Sequence, residues 1–197
     1  MKFSYPEGST PLDPNETKGL IPSDIATQDQ LNQAEQGNII EARAWATGRK
    51  NPDLLSDLFF KKLHYRMFCL VWRWAGQYRK TEKNLGGPWA LIPKEIGKLI
   101  SDTQYWMGHQ TYSWDELGAR FHHRLVLIHP FPNGNGRHSR LMTDLLLINS
   151  GQKPFSWGQK SRDANFQSDL ETRKRYIDSL RQADQRSFED LIHFVRS

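Results

Sequence analysis

The chain has a single cysteine, Cys69, in 197 residues, so no disulfide can close within it. It has no apolar run near the roughly 20 residues a membrane helix needs. The opening Met-Lys-Phe-Ser-Tyr-Pro-Glu lacks the apolar core of a signal peptide. A cytoplasmic protein with no membrane partner is therefore expected. Low-complexity tracts and internal repeats are also missing. Acids are fewer than bases, 22 against 27, giving a net charge of +5 and a pI near 9.3. Such a balance suits nucleotides, acidic proteins or nucleic acid. An ordinary solvated basic surface explains it as well. No helix-turn-helix or aromatic-basic module is present, so a nucleic-acid partner is not expected.

What is there reads as helix. Hydrophobic content is 37% and charged content 25%, which suits one decorated domain. Pro6, Pro11, Pro14 and Pro22 rule out a long helix over 1–22. A first helix is expected from about Thr27 to Thr47, with Leu31, Ala34 and Ile39 or Ile40 facing inward and Gly48 as its stop. Asn51-Pro52 should open a second, with Leu55, Phe59, Leu63, Met67 and Val71 on one face up to Gly76. Between 77 and 93, Tyr78, Thr81, Trp89, Leu91 and Ile92 flank the turn-prone Asn84-Leu-Gly-Gly-Pro88, which predicts a short hairpin. Further helices are expected over 93–107, after the Ser113-Trp-Asp-Glu116 capping pattern, over 136–149, near 162–182 and over 187–195 with Ser187 as a cap. Leu141, Leu145, Leu146 and Ile148 mark the helix over 136–149 as central. Cys69 sits close to an apolar helix face with no cationic neighbour or resolving cysteine, which makes it a structural thiol. The sum is an all-α fold with one small β-hairpin.

The chemistry is concentrated in twelve residues, His129-Pro-Phe-Pro-Asn-Gly-Asn-Gly-Arg-His-Ser-Arg140. Gly134 and Gly136 allow a sharp turn and close approach of backbone N–H groups to an anion. A helix starting there adds its dipole. Arg137 and Arg140 lie three apart on one helix face, and each can fork onto phosphate oxygens. His129 stands just before the loop, within reach of a reacting hydroxyl. The remaining histidines carry no such context. Phe131 reads as a core anchor.

This stretch resembles the signature of the Fic family, His-Pro-Phe-x-(Asp/Glu)-Gly-Asn-Gly-Arg-x-x-Arg, matching eight of nine specified positions. The resemblance extends over roughly residues 55–195 and implies a helical bundle with a β-hairpin flap. It divides the chain into an N-terminal arm with an inhibitory helix (1–50) and a Fic domain (51–197). It implies transfer of AMP from ATP to a hydroxyl of a target protein. His129 would be the general base, and Gly134, Asn135, Gly136, Arg137 and Arg140 would bind the nucleotide. The flap would register a segment of the target. The departure is Asn133, where the family has an acid that ligates Mg²⁺. An asparagine oxygen can still coordinate Mg²⁺ or Mn²⁺, with less affinity. The alternative reading is therefore a nucleotide-binding regulatory or toxin–antitoxin component with weak or different phosphate-transfer activity.

Many Fic proteins carry an inhibitory helix with Ser/Thr-x-x-x-Glu-Gly/Asn, whose glutamate pairs with the second signature arginine. Leu31-Asn-Gln-Ala-Glu35-Gln36 is similar but imperfect, so Glu35 would be the inhibitory acid and Arg140 its partner. An ordinary helix-surface glutamate is the competing reading. The arm and this helix also resemble the N-terminus of the mobile mystery protein B group. The sequence leaves the oligomeric state open, a homo-oligomer included.

Overall fold

Helix formation follows the apolar spacing and the caps. The computed structural model describes residues 11–49, 53–158 and 170–197. Within them lie eight α-helices: α1 (Pro14–Thr17), α2 (Gln28–Thr47), α3 (Asp57–Phe68), α4 (Ile92–Gly108), α5 (Trp114–Ile128), α6 (Asn135–Asn149), α7 (Leu170–Asp184) and α8 (Glu189–Arg196), with a 3₁₀ turn at Trp89–Leu91. Thr27 caps α2 through a reciprocal box with Gln30, satisfying two otherwise orphaned N–H groups. Ser113 caps α5 by accepting from the Glu116 N–H. No helix among the described residues is long and apolar enough to cross a membrane.

α2 packs on α3, α4 on α5, α5 on α6, and α7 on α8. The main core joins Leu31, Ile39, Phe60, Leu63, Met67, Phe121, Leu125 and Met142, so α2 belongs to the same core as the helices that follow it. Ile39 is the inward member of its pair, and Ile40 is exposed. A second cluster forms where the far ends of α5 and α6 meet α7 and α8, around Leu147, Phe155, Trp157, Tyr176 and Phe194. Cys69 is a partly buried free thiol against the main core.

Several expectations change. α3 begins at Asp57 under a Ser56 cap, while Asn51 and Pro52 lie outside the described residues. The helix also ends at Phe68, well before Gly76. Val71 is buried as the periodicity suggested, but in a turn whose N–H returns to Phe68 O. Ile148 is exposed on the outer side of α6. α8 starts after Phe188 with no side-chain cap, so Ser187 does not cap it. The first part of the 162–182 helix falls outside the described residues, and α7 runs to Asp184.

The hairpin over 78–92 does not form. Among the described residues the one β contact is an isolated bridge between Leu20 and Trp72. The cause is local. Arg79, with its guanidinium buried, donates to the carbonyls of Thr81 (2.8 Å) and Gly87 (2.6 Å). The Arg79 N–H goes to Pro130 O at 2.9 Å. One side chain thus joins the two arms of the segment, and the acceptors a strand ladder would use are taken by a guanidinium fork. The segment is an irregular flap pinned to the start of the signature loop.

Candidate active site

The signature loop is closed from within. Asn135 Oδ1 accepts from the Phe131 N–H at 2.9 Å, and its Nδ2 donates to Phe131 O at 2.8 Å. Both ends of its amide thus help to fold the loop, so Asn135 shapes the site, with one N–H of the amide outside these two bonds. Phe131 is fully buried, as a core anchor should be. His64, also buried, stacks on Phe131 with centroids 3.7 Å apart. Its Nε2 donates to Asn133 O at 3.0 Å, and its Nδ1 accepts from the Gly76 N–H at 2.9 Å. Sequence reasoning missed this support, because nothing local distinguishes His64 from any helix histidine.

The two glycines do different jobs. Gly134 has φ +77°, and a Cβ there would stand 2.5 Å from the Phe68 ring. Only glycine tolerates both conditions cheaply. Gly136 is helical, and nothing lies within 4 Å of where its Cβ would be. α6 begins at Asn135 with no side-chain cap at Gly134. The first turn of α6 is therefore uncapped, with clear space beside Gly136, as an anion site at a helix N-terminus requires.

His129 ends α5 in the left-handed region, φ 51° and ψ 58°, which turns the chain toward the loop. Burial pushes its imidazole down to about 4, and the positive charges of Arg79 and Lys83 push the same way. The ring is neutral at pH 7 and able to take a proton. His138, at a variable position of the signature, is buried with its Nε2 donating to Phe60 O at 3.0 Å.

Arg137 and Arg140 do not converge. Arg137 lies over Phe68 (4.9 Å) and pairs with Glu35 Oε2 at 2.6 Å. Glu35 Oε1 accepts from the Trp72 indole at 2.7 Å, so both carboxylate oxygens are held and the residue is buried. Glu35 is thus no surface acid, and its partner is the first signature arginine, which corrects the expected pairing with Arg140. One turn further along α6, Arg140 lies over Tyr176 (4.5 Å) and Trp157 (5.8 Å). Its Nε is buried without a hydrogen-bond partner among the described residues. Three positions separate the arginines, yet α2 draws one aside and α7 engages the other.

The donor set does not fit a resident metal ion. Asn133 Oδ1 already accepts from the Gly134 N–H at 2.6 Å. No group of three or more His, Cys, Asp or Glu among the described residues could hold a cation. Asn133 offers one neutral, half-committed oxygen where a carboxylate would give charge and a second donor.

Residues 55–147 match the model of the Fic/DOC family. This stretch is similar to Fic domains. The protein adenylyltransferase fic-1 of Caenorhabditis briggsae is 33% identical over 125 residues, which is 62% of this chain and 22% of that protein. The chain thus spans about a fifth of the length of such curated relatives. Among solved structures, the N-terminal Fic domain of a putative cell filamentation protein from Bartonella quintana aligns with a TM-score of 0.71 at 16% identity, covering 92% of this chain and 91% of that one. The BepC protein of Bartonella tribocorum, solved with bound AMPPNP, aligns with a TM-score of 0.68 at 16% identity, covering 93% and 97%. At such identities the structures show a shared fold.

Proposed function

We propose that this Fic-like domain transfers AMP from ATP to a hydroxyl side chain of a protein. The observation that carries the reading is the uncapped, unobstructed start of α6, with a neutral His129 before it and the buried Arg140 Nε after it. Phosphates fit an N-terminus of this kind, and the Arg140 fork supplies charge to them. A target hydroxyl loses its proton to the His129 imidazole, its oxygen bonds to the α-phosphorus, and the bond to the bridging oxygen breaks, releasing pyrophosphate. The chain's contribution is positioning and charge, as in other phosphoryl transfers. The relatives named protein adenylyltransferases and the AMPPNP-bound neighbour support it. A groove of about 460 Å³ beside the flap, lined by Lys61, Gln77, Tyr78, Lys80 and Trp89, is a place for a target segment to lie.

His129→Ala should lower transfer from α-phosphate-labelled ATP by about 10²–10⁴-fold while ATP affinity, read by titration calorimetry, stays within a few-fold. Equal loss of both would make His129 structural. The resting domain is restrained in this reading. While Glu35 holds Arg137, that guanidinium cannot also fork onto phosphate. Glu35→Gly should raise self-labelling several-fold, and an unchanged rate would leave the ion pair a purely structural contact. Asn133 favours a second reading, a nucleotide-binding toxin–antitoxin or regulatory component with weak transfer. Binding of all four nucleoside triphosphates without turnover would establish it.

A further inference from the structure

The flap and the candidate base meet at one side chain. Arg79 Nε donates to His129 O at 2.7 Å, while its two terminal nitrogens hold Thr81 O and Gly87 O. The Arg79 backbone N–H takes the next carbonyl, Pro130 O. The flap returns the contact: a Cβ on Gly86 would stand 2.8 Å from His129 Cβ, 2.7 Å from Arg79 Nη2 and 3.1 Å from Ile128 O. Glu82, 3.6 Å from Arg79 on the outer side, and Glu16 of α1 are the acids that act on the guanidinium. Three carbonyls from three separate turns thus converge on a buried cation. A lysine ammonium cannot reproduce that planar fork.

We infer that Arg79 is a positioning residue for His129: it fixes the left-handed turn at His129 and locks the flap against it, so that base and flap keep one geometry. The left-handed conformation of a non-glycine residue costs about 1–2 kcal/mol and persists only where neighbours hold it. Here the carbonyl of the strained residue is the one Arg79 grips. The inference rests on His129 being the base of the proposed transfer, but its structural half stands without it.

The test is histidine-labelled NMR on the intact chain, beside the labelling assay, for wild type, Arg79→Lys, Arg79→Met and Gly86→Ala. Arg79 and Lys83 are the charges that face His129 and oppose its protonation. Arg79→Met should move the His129 ring resonances and bring its titration midpoint up toward the ordinary histidine range. Arg79→Lys should keep more of that charge effect yet still shift the resonances. Gly86→Ala should disturb the same signals from the flap side. In transfer, Arg79→Lys should lower kcat about 10²-fold, as expected of a misplaced group, with the KM for ATP little changed. Unmoved His129 signals in folded Arg79→Met and Gly86→Ala proteins would overturn the inference. If Arg79→Met does not fold, Arg79→Lys and Gly86→Ala decide it in the same way. If wild type transfers nothing, the transferase reading fails, and the NMR arm still decides the role of Arg79.

Discussion

The signature loop and the flap are neighbours held by opposite means. The loop is closed by a side chain four residues from its partner, Asn135 on Phe131, and by a glycine in the one conformation the turn allows. Its outer supports are neutral histidines: His64 bonds Asn133 O, and His138 bonds Phe60 O. The flap has no ladder of its own. It is held by charges, through Arg79 on three carbonyls and through Glu16 of α1, which accepts from Thr81 Oγ1 at 3.0 Å and pairs with Lys83. A short motif can encode a loop that satisfies itself. A flap satisfied from elsewhere needs residues spread from position 16 to position 130.

Acid should separate the two regions most strongly. Burial holds His64 well below the usual histidine range, His129 down to about 4, and His122 and His138 down to about 3. Each is neutral when folded and protonates near 6.5 when unfolded. Such groups stabilise the fold fully above pH 6.5, and that stability is lost as pH falls through 6.5 toward the folded values. Each adds a slope of about 1.4 kcal/mol per pH unit. Asp144 opposes one of them. Burial raises it to about 6, so between roughly pH 4 and 6 it favours the folded state as pH falls. Urea melts from pH 7.5 to 4.5 should show a net loss of several kcal/mol, with exchange protection lost around 129–138 before the flap. A flat profile would mean the histidines are hydrated in solution.

Glycine replacements sharpen the contrast inside the loop. Gly134→Ala puts a methyl group in the left-handed region, at about 1–2 kcal/mol, and into the Phe68 ring, where overpacking adds about 1–3 kcal/mol. Gly136→Ala meets open space in a helix, so the fold should keep or gain stability, by about 1 kcal/mol. ATP affinity should drop in the second variant if phosphate uses that space. Calorimetric melting and ATP titration of the pair would check both. Equal melting temperatures would show that the loop relaxes around Gly134.

How much of this was legible follows the same division. The loop, its entry histidine and the turn at Gly134 could be read because the residues that make them lie within twelve positions. Most helix faces could be read because burial repeats along each helix. The flap could not, because Thr81 and Trp89 look like strand residues and nothing near Arg79 announces that its guanidinium takes the carbonyls. The end of α3 is not legible because Val71 continues the apolar spacing into a turn. That Glu35 meets a signature arginine is legible, but which of the two is not. On a helix Arg137 and Arg140 are near neighbours, and only the placement of α2 over Phe68 and Trp72, and of α7 beside Tyr176, decides which arginine each helix receives.

The smallest effect expected is at Asn133, and it tests how closed the loop is. Its Oδ1 accepts from the next N–H, and its own carbonyl accepts from His64. An aspartate is nearly the same shape, can keep the bond to Gly134, and leaves a second, charged oxygen to offer a hard cation. Asn133→Asp should therefore barely change the melting temperature without metal. It should lower the Mg²⁺ concentration that half-saturates ATP binding by about tenfold, equivalent to about 1.4 kcal/mol, and raise transfer at low Mg²⁺. Mn²⁺ should show the same shift. The comparison breaks if the variant melts several degrees lower in the absence of metal. The loop would then depend on the neutral amide at 133, and the asparagine would be a structural requirement rather than a weakened ligand. If stability is kept but neither metal response moves, position 133 does not face the nucleotide's metal, and the chain handles phosphate with Arg140 and the α6 N-terminus alone.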